Sequence, residues 1–325
     1  MFEELGLIGN LLILIVSLFA LNQASNLTIK HSVKIAGATG LGKATVGFIL
    51  VAFSTSLPEL FVAIFAIIEP ENVGISIGNV LGSNITNICL VLGIIFVLIA
   101  LKYSDNAKFL PAMVKEETRG LHFALLVASV IPLALLYIGS ARQVIGVSLL
   151  LVFIYNMYQL SKTRNAKEGP TLAGERHKLK KYIAIAVLGA AGVVVSSYFI
   201  VGTASYLALS VGIPKVVIGA TIVAIGTSLP ELVTSLDSIK KSHADLALGN
   251  IVGSCFMNIT LILGVTLVAA PFSVNMAVFS KLIIFSLIAN LFLSYFLSNE
   301  KIGWQEGAIF LFIYCLFLVT SITGG

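Results

Sequence analysis

The sequence predicts an all-α integral membrane protein in which ten transmembrane helices form two inverted five-helix repeats, with broken helices at the membrane midplane. Three observations lead there. The 325 residues are 58% hydrophobic and 11% charged, whereas a soluble domain carries about 25% charged residues. Apolar runs of about 20 residues, enough to span a bilayer, recur along the whole chain. Finally, Thr55-Ser56-Leu57-Pro58-Glu59 returns as Thr227-Ser228-Leu229-Pro230-Glu231, each copy in the middle of such a run.

The expected spans are 5–23, 42–68, 74–101, 120–139, 143–160, 181–203, 214–239, 245–270, 274–297 and 303–322. The start, Met1-Phe2-Glu3-Glu4, is acidic and lacks the positive n-region of a secretory signal, so the first run is expected to stay as a helix. Only Gly139-Ser140-Ala141-Arg142 divides the fourth span from the fifth. Assigning alternate loops to alternate sides places 17 of the 20 basic residues together, leaving Arg142, Lys215 and Lys281 opposite. Positive charge marks the cytoplasmic side. Both termini are therefore expected outside the cell and the 161–180 loop in the cytoplasm, in a multi-pass cell-membrane protein. That loop contains Gly169-Pro170 and is too short for a folded domain, so it reads as a linker between halves 1–160 and 181–325.

The net charge of +5 does not imply a nucleic-acid partner, because the basic residues are spread over the loops. Cys89, Cys255 and Cys315 lie inside apolar runs without CxxC spacing, and read as small buried side chains. His31, His122, His177 and His243 fall in loops or near span ends, where a solvated or interfacial role is expected. Neither the His-Glu-x-x-His of a zinc protease nor the paired Asp motifs of an intramembrane aspartyl protease occur, so the chain does not read as an enzyme.

The repeat extends beyond the five-residue motif. Residues 47–60 match 219–232 at nine of 14 positions, and 78–93 match 249–264 at nine of 16. The matches include Thr, Ser, Pro, Glu, Asn and Gly, which chance similarity between two apolar helices would not supply. Five spans per half, an odd number, turn the second half upside down. Inverted repeats whose interrupted helices meet at midplane are a plan of secondary transporters.

A carboxylate at membrane depth is costly, by about 2.5–3.5 kcal/mol on insertion scales, and marks a functional site. Glu59 and Glu231 are the two mid-span acids; Asp237 falls near a span end beside Lys240 and Lys241 and reads as interfacial. Pro58 and Pro230 lack an N–H and break the preceding turn. The freed carbonyls, near Ser54 and Thr55 and near Gly226 and Thr227, are tolerated in a bilayer where they line a polar cavity. Such carbonyls plus carboxylates are hard oxygen ligands, suited to Ca²⁺, Na⁺ or Mg²⁺. In the following spans Ser83 and Asn87, and likewise Ser254 and Asn258, stand four residues apart on one helix face and offer further oxygens. Gly78-x-x-x-Gly82 and Gly249-x-x-x-Gly253 permit close helix approach. Two glutamates are neutralised by one Ca²⁺ or two Na⁺. Two bidentate carboxylates and two Thr carbonyls supply six of the roughly six to eight oxygens that Ca²⁺ takes.

On these motifs the sequence resembles the cation/calcium antiporter superfamily, in particular prokaryotic sodium/calcium exchangers, over essentially the whole chain. The resemblance implies that Glu59 and Glu231 ligate Ca²⁺ with the Thr55 and Thr227 carbonyls. It implies Na⁺ sites on the same carboxylates with Thr55, Ser56, Ser83, Thr227, Ser228 and Ser254 and the carbonyls of Ala52 and Ala224, with Asn87 and Asn258 lining the middle. It further implies no cofactor, Na⁺ and Ca²⁺ as transported partners, function as a monomer, and alternating access by sliding of the first and sixth helices. Ser54 stands where the family usually has Gly. Asn258 matches the potassium-independent pattern, since potassium-dependent relatives carry Asp there, and the Gly-Asn-Ala-x-Glu of the proton/calcium branch is missing. H⁺- or K⁺-coupled exchange is the alternative within the superfamily, and a passive cation channel is the alternative outside it.

Overall fold

A computed structural model describes residues 2–39, 52–102, 125–127, 129–134, 142–162, 177–240, 244–270, 276–298 and 303–323. Among these, the regular elements are all helical. Seven stretches are long and apolar enough to cross a membrane: Gly6–His31, Val73–Leu101, Leu179–Val211, Lys215–Lys240, Ala247–Ala269, Val278–Ser298 and Trp304–Ser321. The second and fifth expected spans correspond to shorter apolar helices, Leu57–Ile68 and Gln143–Gln159. Most of the expected fourth span, the start of the second and the central linker lie outside the described residues.

In chain order the helices are α1 (Gly6–Thr39), α2 (Ala52–Thr55), α3 (Leu57–Ile68), α4 (Val73–Ile85), α5 (Gly93–Lys102), α6 (Arg142–Lys162) and α7 (Leu179–Val211). They continue as α8 (Lys215–Ile218), α9 (Ala224–Thr227), α10 (Leu229–Lys240), α11 (Ala244–Met257), α12 (Leu263–Ala269), α13 (Met276–Ser298) and α14 (Trp304–Thr323). Wider π-helical turns join α4 to α5 (Thr86–Leu92), α8 to α9 (Gly219–Val223) and α11 to α12 (Asn258–Ile262).

Burial separates a centre from a periphery. The α11–α12 span is 83% buried, against 22% for the apolar part of α1. The spans carrying the Ser/Asn pairs and the second Glu motif fill the centre, in a core that includes Val80, Ile88, Phe96, Ile251, Phe256, Phe279 and Phe310. The long helices α1 and α7 pack antiparallel along one side: Gly189 of α7 meets Thr28 and Ala24, while Gly202 meets Phe2. Their inner faces close over α3 through Leu14, Leu21, Val62, Ala66, Ile200 and Ala204.

Both long helices overrun the expected ends. α1 reaches Thr39 rather than residue 23, and α7 reaches Val211 rather than 203. The polar stretch after Asn22 reads as a loop, yet Leu21, Ser25, Thr28 and Ile29 are buried at helical spacing against α7. His31 is 8% exposed at the end of the apolar span of α1, with its ring against Tyr182, which fits the interfacial and not the solvated expectation. Cys89 and Cys255 are buried as expected; Cys315 instead faces outward from α14.

Close approach at the first glycine pair is physical necessity. A Cβ on Gly78 would collide with the Val216 carbonyl, and one on Gly82 with the Ala220 carbonyl. Gly219 reciprocates, since its Cβ would meet the Ile75 carbonyl at 2.5 Å. In the second pair, Gly249 has no described atom within 4 Å of such a Cβ.

Candidate functional site

The two Pro-Glu motifs break their helices in the same way. α2 ends at Thr55 and α3 begins at Leu57, with Ser56 between them at φ −85°, ψ 3°. α9 ends at Thr227 and α10 begins at Leu229, with Ser228 at φ −84°, ψ 1°. Proline inside the first turn of the downstream helix needs no intrahelical donor there. Backbone bonding resumes at Leu60 N–H to the Ser56 carbonyl (3.1 Å) and Leu232 N–H to the Ser228 carbonyl (3.2 Å). The second carbonyl named by the resemblance, that of Ala224, accepts the Ser228 N–H at 3.0 Å; Ala52 opens α2.

Each broken motif is held by the span after the other one. The Thr55 hydroxyl donates to Asn250 Oδ1 (3.2 Å) and lies 2.9 Å from the Ser254 hydroxyl, both on α11. In mirror fashion, the Thr227 hydroxyl donates to Asn79 Oδ1 (2.9 Å) and lies 3.2 Å from the Ser83 hydroxyl, both on α4. The carboxylates share this crossing. The Thr227 and Ser83 hydroxyls neighbour Glu59, and those of Thr55 and Ser254 neighbour Glu231. Asn79 and Asn250, the hydroxyl acceptors, carry no assigned role in the sequence reading. Their signal was their identity at the second position of the repeated Gly-Asn block.

One side of the mirror is incomplete. Asn250 Nδ2 donates to the Ser235 hydroxyl at 3.2 Å, whereas Asn79 Nδ2 is buried with no partner among the described residues. The position matching Ser235 at the motif offset is Ala63, which has no hydroxyl to give.

Thr55, Thr227, Ser56, Ser228, Ser83, Ser254, Asn87, Asn258, Glu59 and Glu231 are all at most 1% exposed. Ser54, in the place of the usual glycine, is also buried. All four carboxylate oxygens of Glu59 and Glu231, the hydroxyls of Ser56 and Ser228, and the side-chain oxygens of Asn87 and Asn258 have no hydrogen-bond partner among the described residues. Buried polar atoms are otherwise almost always paired. The four carboxylate oxygens, carrying two formal negative charges on two neighbouring motifs, suit a hard cation. The Ser56 and Ser228 hydroxyls come from the two helix breaks, and the two asparagines from wide turns. Asn87 lies in the first π-turn and Asn258 opens the third. Such turns frequently mark functional sites. Asp237 is exposed, well outside this set. Among the described residues no three His, Cys, Asp or Glu side chains gather as a metal cluster.

A family model described as "Sodium/calcium exchanger protein" matches residues 9–163 and 181–323. The sodium/calcium exchanger MaX1 of Methanosarcina acetivorans is 30% identical over 351 aligned positions, covering 95% of this chain and 97% of that protein. A solved structure of the sodium-calcium exchanger NCX_Mj superposes with a TM-score of 0.64 at 28% identity, covering 97% of this chain and 99% of that one. The structure of the H⁺/Ca²⁺ exchanger CAX reaches a TM-score of 0.73 at 16% identity, covering 97% and 87%, and shares the fold.

Proposed function

The chain belongs to the sodium/calcium exchanger family, and from that premise we propose that it is a secondary active antiporter exchanging Na⁺ for Ca²⁺ by alternating access. A multi-pass membrane antiporter of Ca²⁺ and another cation, it is not an enzyme and needs no cofactor. One observation carries the ion chemistry: two fully buried carboxylates whose four oxygens have no hydrogen-bond partner among the described residues. A buried charge without a partner is strongly destabilising. One Ca²⁺ or two Na⁺ satisfy the pair. The two ions therefore exclude each other, and mutual exclusion is what converts a binding site into an exchanger.

In this reading Glu59 and Glu231 bind Ca²⁺ with the Thr55 and Thr227 carbonyls. Na⁺ uses the same carboxylates with Thr55, Ser56, Ser83, Thr227, Ser228 and Ser254 and the Ala52 and Ala224 carbonyls, and Asn87 and Asn258 line the middle. The antiparallel packing of α1 on α7 and the crossed hydrogen bonds support ten helices in two inverted repeats, 1–160 and 181–325. The loop charges support extracellular termini, a cytoplasmic 161–180 linker and a cell-membrane location. Both carboxylates lie on one chain, which supports a functional monomer. Na⁺ coupling is supported by Asn258 and by the likeness to NCX_Mj, described as a sodium-calcium exchanger.

The test is transport by the reconstituted chain. Vesicles with an outward Na⁺ gradient are expected to accumulate Ca²⁺, and Glu59→Gln or Glu231→Gln to bring uptake to background. Uptake surviving in either variant sinks the site assignment. Replacing the Na⁺ gradient by a K⁺ or H⁺ gradient separates the coupling ions. Flux that needs no counter-ion identifies a channel.

A further inference from the structure

Outside the ion site, positive charge gathers at one end of the α1–α7 pair. Lys30 and Lys34 lie near the end of α1, and Lys178, Lys180 and Lys181 at the start of α7. The antiparallel packing brings these ends together. The Lys34 ammonium stands 5.1 Å from the Tyr182 ring centroid, and the His31 ring packs on the same tyrosine at 5.9 Å. Lys30, Lys178, Lys180 and Lys181 are exposed around this clasp, and Lys34 is half-buried. Neither α1 nor α7 itself contains an Asp or Glu.

The depth of the cluster is set by length. At 1.5 Å per residue, 34 and 33 residues make α1 and α7 about 50 Å long. A hydrocarbon core is about 30 Å thick, and about 40–45 Å with its headgroup layers. The apolar span of α1 stops at His31 and that of α7 starts at Leu179, so Lys30, Lys34, Lys180 and Lys181 all lie within about a turn of a span end. Span ends of helices this long fall at headgroup level. Clusters of about four to eight Lys/Arg on the cytoplasmic side of a span read as anionic-headgroup sites, and the loop charges support that side for this end of α1 and α7. An aromatic ring at the same level is a habitual interfacial anchor.

We propose that Lys30, Lys34, Lys180 and Lys181, at the end of the pair where Lys34 meets Tyr182, form a binding site for the phosphate headgroup of an anionic phospholipid, which bridges α1 and α7. Lysines drawn from two helices onto one headgroup tie the pair together and fix its depth. The site is independent of the coupling ion and of the ion-binding residues. A scattered positive-inside bias would give no such saturable, two-helix dependence.

The experiment measures thermal unfolding of the purified full chain in neutral detergent during titration with phosphatidylglycerol, phosphatidylcholine or inorganic phosphate. The wild type is expected to gain stability saturably with phosphatidylglycerol alone. Each lysine removed weakens this affinity about fivefold. The K30Q/K34Q/K180Q/K181Q variant should lose the response, and K240Q, a charge removed on α10, should keep it. Should the fourfold variant fold poorly, K180Q/K181Q tests the same site with an expected shift of about 25-fold in the midpoint. A response that survives in these variants, or is equal with phosphatidylcholine, overturns the proposal. Stabilisation by inorganic phosphate alone overturns the lipid as occupant.

Discussion

At Asn79 and Asn250 two side chains in matching places have unequal surroundings. Both accept a threonine hydroxyl from the opposite motif, but only Asn250 finds a hydroxyl, Ser235, for its own amide. A net buried hydrogen bond contributes about 0.5–1.5 kcal/mol. We therefore predict that Ala63→Ser raises stability by about that amount, and that Ser235→Ala lowers it by about 1–3 kcal/mol by stranding the Asn250 amide. Chemical denaturation of the detergent-solubilised protein reads both; an Ala63→Ser variant no more stable than wild type would show that the missing partner is not the cause. Part of the arrangement was legible in the sequence: the Thr55 and Thr227 hydroxyls meet Ser254 and Ser83 across the repeat, beside Glu231 and Glu59. Asn79 and Asn250 were missed as positioning groups because each works on a threonine in the other half, and sequence adjacency carries no record of that contact.

Among the elements, proline announced two helix breaks, and both occur one residue from where the missing N–H placed them. The three π-turns had no comparable herald. They hold no proline, and a turn widened by one residue leaves the apolar pattern nearly intact. The ends of α1 were misread for a related reason. Helical continuation there depends on a buried face supplied by α7, a partner 150 residues away. The glycine spacing did predict close packing, with a measurable cost for disturbing it. Gly78→Val or Gly82→Val places side-chain carbon against the Val216 or Ala220 carbonyl, and overpacking of this kind costs about 1–3 kcal/mol or more. We predict a fall in melting temperature for both variants. Gly249→Ala meets no described atom within 4 Å and should be milder. Equal losses at all three positions would remove the assigned contact as the reason.

For the molecule as a whole, acidity should matter because the carboxylates are shared. A proton on either glutamate removes a charge that Ca²⁺ requires, so protons and Ca²⁺ compete for the pair. We predict that Ca²⁺ uptake weakens as pH falls and that higher Ca²⁺ restores it. Uptake measured at several Ca²⁺ concentrations should thus show a rising apparent KM with acidification and little change in maximal rate; an unchanged KM would argue against competition at the carboxylates. The crossed hydrogen bonds carry a last consequence, which concerns history rather than transport. Thr55 rests on Asn250 and Ser254, while Thr227 rests on Asn79 and Ser83. Two matching segments that complete one another in this way constrain each other's side chains. A change in one copy is tested by the side chains of its twin, so these positions stay locked in step. The matching segments differ at Asn84, which donates to the Ser286 hydroxyl, and at its counterpart Cys255, whose thiol lies against the Asn84 carbonyl.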